Sequence, residues 1–231
     1  MSHSSIRIVS TAFVIGLLVF ETFLSTIVLA DSDVRPEGPV HGLSGRETMR
    51  EWILLGPFPN PKLEERAPDG SRYGGFNRDH FEDVGGEPQV VLTPDLKLEV
   101  ADVERSAKRA TVSANGIMEL DAQFEDVLFQ VAYAFCYIHA DRRQKVSFLF
   151  GSADDAKVWI NGTLVHRHYG GRAVMPGQDE FDAEIRKGYN RVLIKVANRV
   201  REWGFSDQTP QTRPSTNLGF RSICPCRLTL G

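Results

Sequence analysis

Val127-Leu128-Phe129-Gln130-Val131-Ala132-Tyr133-Ala134-Phe135-Cys136-Tyr137-Ile138-His139-Ala140 is the clearest strand in the sequence. Its period is two. Val127, Phe129, Val131, Tyr133, Phe135, Tyr137 and His139 share one face, and Leu128, Gln130, Ala132, Ala134, Cys136 and Ile138 share the other. Successive residues of a strand point to opposite sides of its sheet. Both sets are largely apolar, so this stretch is expected to be a central strand covered on both faces. A strand this long is expected to bend or bulge.

The same period continues downstream. Val146–Phe150 is a strand. Lys157–Ile160 and Thr163–His166 flank Asn161-Gly162, a pair that tolerates the positive φ angles of a tight hairpin turn. Phe181–Ile185 and Arg191–Ala197 follow, joined by Lys187-Gly188-Tyr189-Asn190, and Trp203-Gly204-Phe205 is expected to close the sheet. Upstream, Glu51–Pro59 is a short apolar strand ended by Gly and Pro. Residues 60–87, punctuated by Gly74-Gly75 and Gly85-Gly86, read as a long ordered loop. Gln89–Leu92 and the alternating Ile117–Phe124 read as two more strands, and Leu98–Arg109 shows a weak helical period. Many short strands at turn-marked intervals, over a domain of roughly 150 residues, predict an all-β fold, an antiparallel β-sandwich. That sandwich spans residues 50–205, after a polar linker at 31–49 and before a loose tail at 206–231.

Composition narrows the function. The 231 residues carry 27 Lys and Arg against 30 Asp and Glu, a net charge of -3, which argues against a nucleic-acid partner. With 25% charged and 42% hydrophobic residues, neither a disordered chain nor a polytopic membrane protein is indicated. Residues 1–30 read as a secretory signal peptide. Arg7 precedes the apolar run from Ile8, and Val28-Leu29-Ala30 offers small residues at the cleavage positions before Asp31-Ser32-Asp33. The protein is therefore expected in the periplasm, in the cell envelope or outside the cell. It would meet a membrane only if Ile8–Ala30 stayed uncleaved as an anchor, with Glu21 near mid-span at a cost of a few kcal/mol. Cys136 is expected to be a buried, inert thiol. Cys224-Pro225-Cys226 supplies too few ligands for zinc.

Three stretches resemble a known group. Trp52-Ile53-Leu54-Leu55-Gly56-Pro57-Phe58-Pro59 with Gly85-Gly86-Glu87 is similar to the entry strand and first loop of bacterial extracellular jelly-roll modules of galactose-binding-like type. Gly151-Ser152-Ala153-Asp154-Asp155-Ala156-Lys157-Val158-Trp159-Ile160-Asn161-Gly162 resembles their central motif, which recurs in the sugar-binding domain of family 2 glycoside hydrolases and in PA14-type domains. Ala156 stands where that motif usually has Gly. Gly188–Asn198 and Trp203-Gly204-Phe205 look like the closing strands, although Ser206-Asp207-Gln208-Thr209-Pro210 does not read as the further strand expected next. The resemblance implies a non-catalytic accessory module that binds carbohydrate or glycan. The alternatives are a structural or interaction module holding a secreted hydrolase or envelope protein, and an accessory fragment of a glycoside hydrolase.

The candidate binding residues are Tyr169, Arg172, Trp203 and His168. Aromatic faces can stack on the C–H faces of sugars, and a guanidinium fork can reach hydroxyls or a carboxylate. Asp154 and Asp155 are the candidate ligands for Ca²⁺, which favours several hard oxygens. His166 and His168 lie on one strand face, but the further Glu and later His of a cupin metal site are missing. Glu119, Asp121 and Glu125 show no spacing that singles out a hydrolytic pair.

Overall fold

The computed structural model describes residues 35–43, 47–68, 70–100, 103–125, 128–199 and 202–212. Its strands, in chain order, are β1 (Val40–Gly42), β2 (Glu51–Pro59), β3 (Lys97–Val100), β4 (Val103–Ser106), β5 (Lys108–Thr111), β6 (Met118–Glu119) and β7 (Gln130–Ala140). They continue as β8 (Gln144–Ser152), β9 (Ala156–Ile160), β10 (Thr163–His168), β11 (Asp179–Ile185), β12 (Gly188–Ala197) and β13 (Gly204–Thr212). Two sheets stack as an all-β sandwich. The larger runs β10-β9-β12-β7-β2-β5, and β1 takes over beside the far end of β7 where β2 stops. The smaller runs β11-β8-β13-β6, and β3 and β4 form a separate hairpin. All pairs are antiparallel except β1 with β7. Among the described residues no helix is long and apolar enough to cross a membrane. Residues 1–30, expected to be a signal peptide, and the two tail cysteines lie outside the described residues.

β7 is central, between β2 and β12, and both of its faces are covered as its sequence demands. Ala132, Ala134, Cys136 and Ile138 join Trp52, Phe148, Phe150, Val158, Ile194 and Phe205 between the two sheets. Val131, Tyr133, Phe135 and Tyr137 face the other way, into a second cluster with Phe58, Trp159 and Leu193. Burial drives the Cys136 thiol pKa well up, so the thiol stays neutral. The Asn161-Gly162 turn forms between β9 and β10, with φ of 51° and 83°.

The second cluster is roofed by a strap, residues 60–96, that crosses the outer face of the larger sheet. A short helix, α1 (Gly74–Asn77), and a single 3₁₀ turn at Glu82–Val84 set Phe76 and Phe81 against the sheet. Gly75 is required there, because a Cβ would collide with the Pro59 carbonyl. Two lysines on paired strands pin the strap. Lys157 and Lys195 are register partners on β9 and β12. Lys157 Nζ donates to Phe76 O at 3.0 Å. Lys195, with no exposed surface, donates to Arg78 O at 2.6 Å and to Glu87 Oε1 at 2.8 Å. Tyr133 Oη donates to the same carboxylate oxygen at 2.7 Å. Desolvation lowers the Lys195 pKa to about 8 against the pull of Glu87, and it lowers His80, a buried residue of the strap itself, to about 4, with the Lys195 charge adding to the effect.

Several expectations need correcting. Gln89–Leu92 is not a strand: Val90 and Leu92 alternate because both plug into the second cluster from the strap. Of Ile117–Phe124 only Met118 and Glu119 pair, and Leu120–Phe124 forms a helix, α2. Leu120 and Phe124, four residues apart, lie on one side of that helix and both pack on the core. Of the stretch Leu98–Arg109, residues 98–100, 103–106 and 108–109 lie in β3, β4 and β5 rather than in a helix. The linker ends early, since β1 pairs with β7 and Met49 is buried beneath Trp52, whose indole donates to Met49 O at 2.8 Å. The tail begins late. β13 runs to Thr212 against β8, and its register breaks between Gln208 and Gln211, where Pro210 has no N–H for the ladder.

Candidate functional site

One end of the sandwich gathers three loops: the start of the strap, the β10–β11 connection and the residues after β12. Between them lies a cleft of about 350 Å³ lined by Lys62, Arg66, Arg72, Tyr73, Tyr169 and Arg199, among others. The strap builds one wall as an irregular hairpin. Lys62 bridges Tyr73, Leu63 N donates to Arg72 O at 2.7 Å, and Arg66 Nη1 donates to Gly70 O at 3.0 Å. Tyr73 stacks on Phe129 with ring centroids 6.0 Å apart, and the Arg199 guanidinium lies 4.9 Å from the Tyr73 ring centre. Phe129 holds a left-handed backbone (φ 55°) while its ring stays partly exposed. Such strain in a bulky residue is costly and tends to collect where a chain is shaped for contact.

Tyr169 forms the facing wall. Its hydroxyl donates to Asn77 Oδ1 at 3.2 Å, its ring meets the edge of Phe76 at 5.1 Å, and Arg167 lies 5.4 Å from its centre. It is half-buried, with part of the ring open to the cleft.

The two aspartates lie behind this wall and face inward. Asp155 is fully buried. It accepts from Gly170 N at 2.9 Å and from both Nε and a terminal nitrogen of Arg199. Asp154, in the left-handed region (φ 52°), accepts from Arg199 N at 2.8 Å. Burial raises the Asp154 pKa, opposed by Arg199. A Ca²⁺ ion at Asp155 would have to compete with a guanidinium already in place. Among the described residues no three His, Cys, Asp or Glu side chains are placed to share a metal.

Arg172 serves the fold. Its Nε donates to Ser152 O at 3.0 Å, and its two terminal nitrogens embrace both oxygens of Asp179. It thereby clamps the 169–178 loop on β8, which that loop crosses so closely that a Cβ at Gly151 would strike the Met175 carbonyl. Burial acts to raise the Asp179 pKa, but the hydrogen bonds and charge of Arg172 outweigh it and hold the carboxyl low. His166 stacks on Phe181 at 4.8 Å, with Nε2 3.2 Å from Asp179. His168 lies on the same strand face. Burial lowers both imidazoles, for His166 against the pull of Asp179 and for His168 with the help of Arg172.

Trp203 is a correction. It is 1% exposed, its indole donates to Val196 O at 3.2 Å and its ring lies 5.7 Å from Phe124. An indole at the β13 end of the core cannot stack on a sugar. Asp121, considered for hydrolysis, accepts from Trp203 N at 2.7 Å and so ties α2 to β13. Of the expected residues, only Tyr169 lines the cleft. Lys62, Arg66, Arg72, Tyr73 and Arg199 were missed. Their signal was present as three cations and a tyrosine within one Pro- and Gly-punctuated loop, but nothing local ties that loop to residue 199.

A larger hollow of about 560 Å³ lies beside β1 and mixes Arg50 with Glu47 and Glu51.

No protein-family model matches the chain, and no curated protein matches it. Among solved structures it is similar to a beta-glucosidase from Kluyveromyces marxianus in complex with glucose, with a TM-score of 0.38, 12% identity, and coverage of 70% of this chain and 16% of that one. It is also similar to a beta-glucuronidase from Faecalibacterium prausnitzii, with a TM-score of 0.35, 16% identity, and coverage of 70% and 22%. A family 2 glycosyl hydrolase from Bacteroides cellulosilyticus gives a TM-score of 0.30 at 11% identity, covering 70% and 20%. The chain thus spans less than a quarter of each of these glycoside hydrolases.

Proposed function

We propose that this chain is a non-catalytic carbohydrate-binding module of the cell envelope or the extracellular space, which holds its ligand in the cleft between Tyr169 and the start of the strap. One observation carries the reading. At the end of the sandwich, three loops carried by the sheets present aromatic rings and side-chain N–H donors to one open cleft. Ligand sites of this kind combine apolar faces with a few fixed polar groups. Glycoside hydrolysis needs two carboxylates flanking one bond, whereas the nearest pair here, Asp154 and Asp155, is turned inward onto Arg199 and backbone amides. A second reading, an interaction module for a secreted hydrolase or an envelope protein, draws on the exposed Leu128 and Phe129 beside the cleft.

Affinity electrophoresis of the protein through a panel of soluble polysaccharides, with calcium and with chelator, tests the first reading. Retardation by at least one polysaccharide is expected, with a loss of about tenfold in affinity for Tyr169→Ala at an unchanged circular-dichroism spectrum. Migration unaffected by every polysaccharide would overturn it and favour the second reading. Retardation that vanishes with chelator and in Asp155→Asn would add calcium to the proposal.

A further inference from the structure

We propose that the cleft is built for an acidic glycan, and that the carboxylate of a uronic-acid residue is the group it anchors. This rests on the carbohydrate-binding reading and goes further by naming the ligand class.

The charge distribution makes the case. The protein as a whole is acidic, with 30 Asp and Glu against 27 Lys and Arg, yet the cleft gathers Lys62, Arg66, Arg72 and Arg199 with no carboxylate in its lining. Arg199 is neutralised from behind by Asp155. The other three are exposed, and among the described residues none of them forms an ion pair. Cations crowded without partners repel one another, and an entering anion relieves that repulsion.

The shape of the donors favours a carboxylate. A guanidinium presents parallel N–H bonds in a plane that matches two carboxylate oxygens. The protein itself uses this pairing twice at this end of the sandwich, Arg199 on Asp155 and Arg172 on Asp179. Arg66 is steered by its bond to the Gly70 carbonyl, which uses one terminal nitrogen and leaves the rest of the fork. The apolar face of a sugar ring has its own counterpart in the partly open ring of Tyr169 and in Phe129, stacked against Tyr73. An anion clamp beside ring faces suits a charged pyranose better than a free inorganic anion. The net negative charge of the chain disfavours a nucleic acid.

The test is calorimetric titration with polygalacturonate, its fully methyl-esterified form, a neutral galactan, a sulfated polysaccharide and single-stranded DNA, at low salt and at ~0.3 M NaCl, where screening is short-ranged. Polygalacturonate is expected to bind, about tenfold or more tighter than the ester, and to weaken at the higher salt. Arg66→Gln and Arg72→Gln, both at exposed positions, are expected to lower that affinity about tenfold with Tm unchanged. Arg143→Gln, beyond the opposite end of β7, is expected to leave it unaltered. Equal affinity for acid and ester, or insensitivity to both Arg substitutions, overturns the anionic anchor while carbohydrate binding stands. Preference for the sulfated polymer or for DNA overturns the uronate assignment. Silence with every polysaccharide overturns the carbohydrate-binding reading itself.

Discussion

Asp207 shows how little a residue's type says about its surroundings. It shares a strand face with Phe205, so it points between the sheets, 2% exposed. It has no side-chain partner among the described residues. Burial raises its pKa well above the ordinary carboxylate value, with the backbone amide of Gln208 opposing the shift. Above a pH of about 4 the unfolded chain releases this proton and the folded chain keeps it. The unfolded state then binds fewer protons, so stability falls as pH rises through that window. Asp207→Asn is expected to raise the urea midpoint at pH 7, by about 1–3 kcal/mol of unfolding free energy, and to change it little at pH 4. An equal shift at both pH values would mean that the carboxyl is not held neutral.

At the scale of the element, the strap is the part most exposed to failure. It has little regular structure and is held by Phe76, Phe81, Val90, Leu92 and two buried ammonium groups. Lys195→Met leaves Glu87 half of a broken buried pair, which costs about 3–5 kcal/mol. Limited proteolysis of that variant is expected to cut first between residues 60 and 96, and a second substitution, Glu87→Gln, is expected to recover part of the loss. Early cleavage elsewhere, or a single change without effect, would show that the apolar plugs alone hold the strap. Since the strap also supplies Lys62, Arg66, Arg72 and Tyr73, damage to its anchoring reaches the cleft.

For the whole molecule, titration adds up. Burial is the leading cause that lowers the pKa of His41, His80, His166 and His168, His80 to about 4. Each imidazole is neutral in the fold and charges more readily in the unfolded chain, so its contribution is complete above a pH of about 6.5 and is lost as pH falls through the folded value. Asp154 and Asp207, both raised, act in the opposite direction. With four imidazoles against two carboxyls, Tm is expected to fall between pH 7 and pH 4.5, and His80→Leu is expected to flatten that fall. A Tm constant over the interval would show that the histidines are solvated.

The sandwich, the central place of β7 and the β9–β10 hairpin were legible in the order of residues alone. Each of these follows from side-chain alternation or from the φ angles that Asn161 and Gly162 tolerate, which are properties of neighbouring residues. That order also brought Tyr169 forward, as an aromatic residue in a glycine-marked loop. The remaining features depend on contacts between distant parts of the chain. Residues 204–212 are a strand because β8 offers them a hydrogen-bonding edge, and Trp203 is core because α2 and β13 close over it. Asp155 belongs to Arg199, and the strap cations belong with Tyr169, because residues remote along the chain meet at one end of the sheets. No local period encodes that meeting, since it depends on how the two sheets and the strap pack.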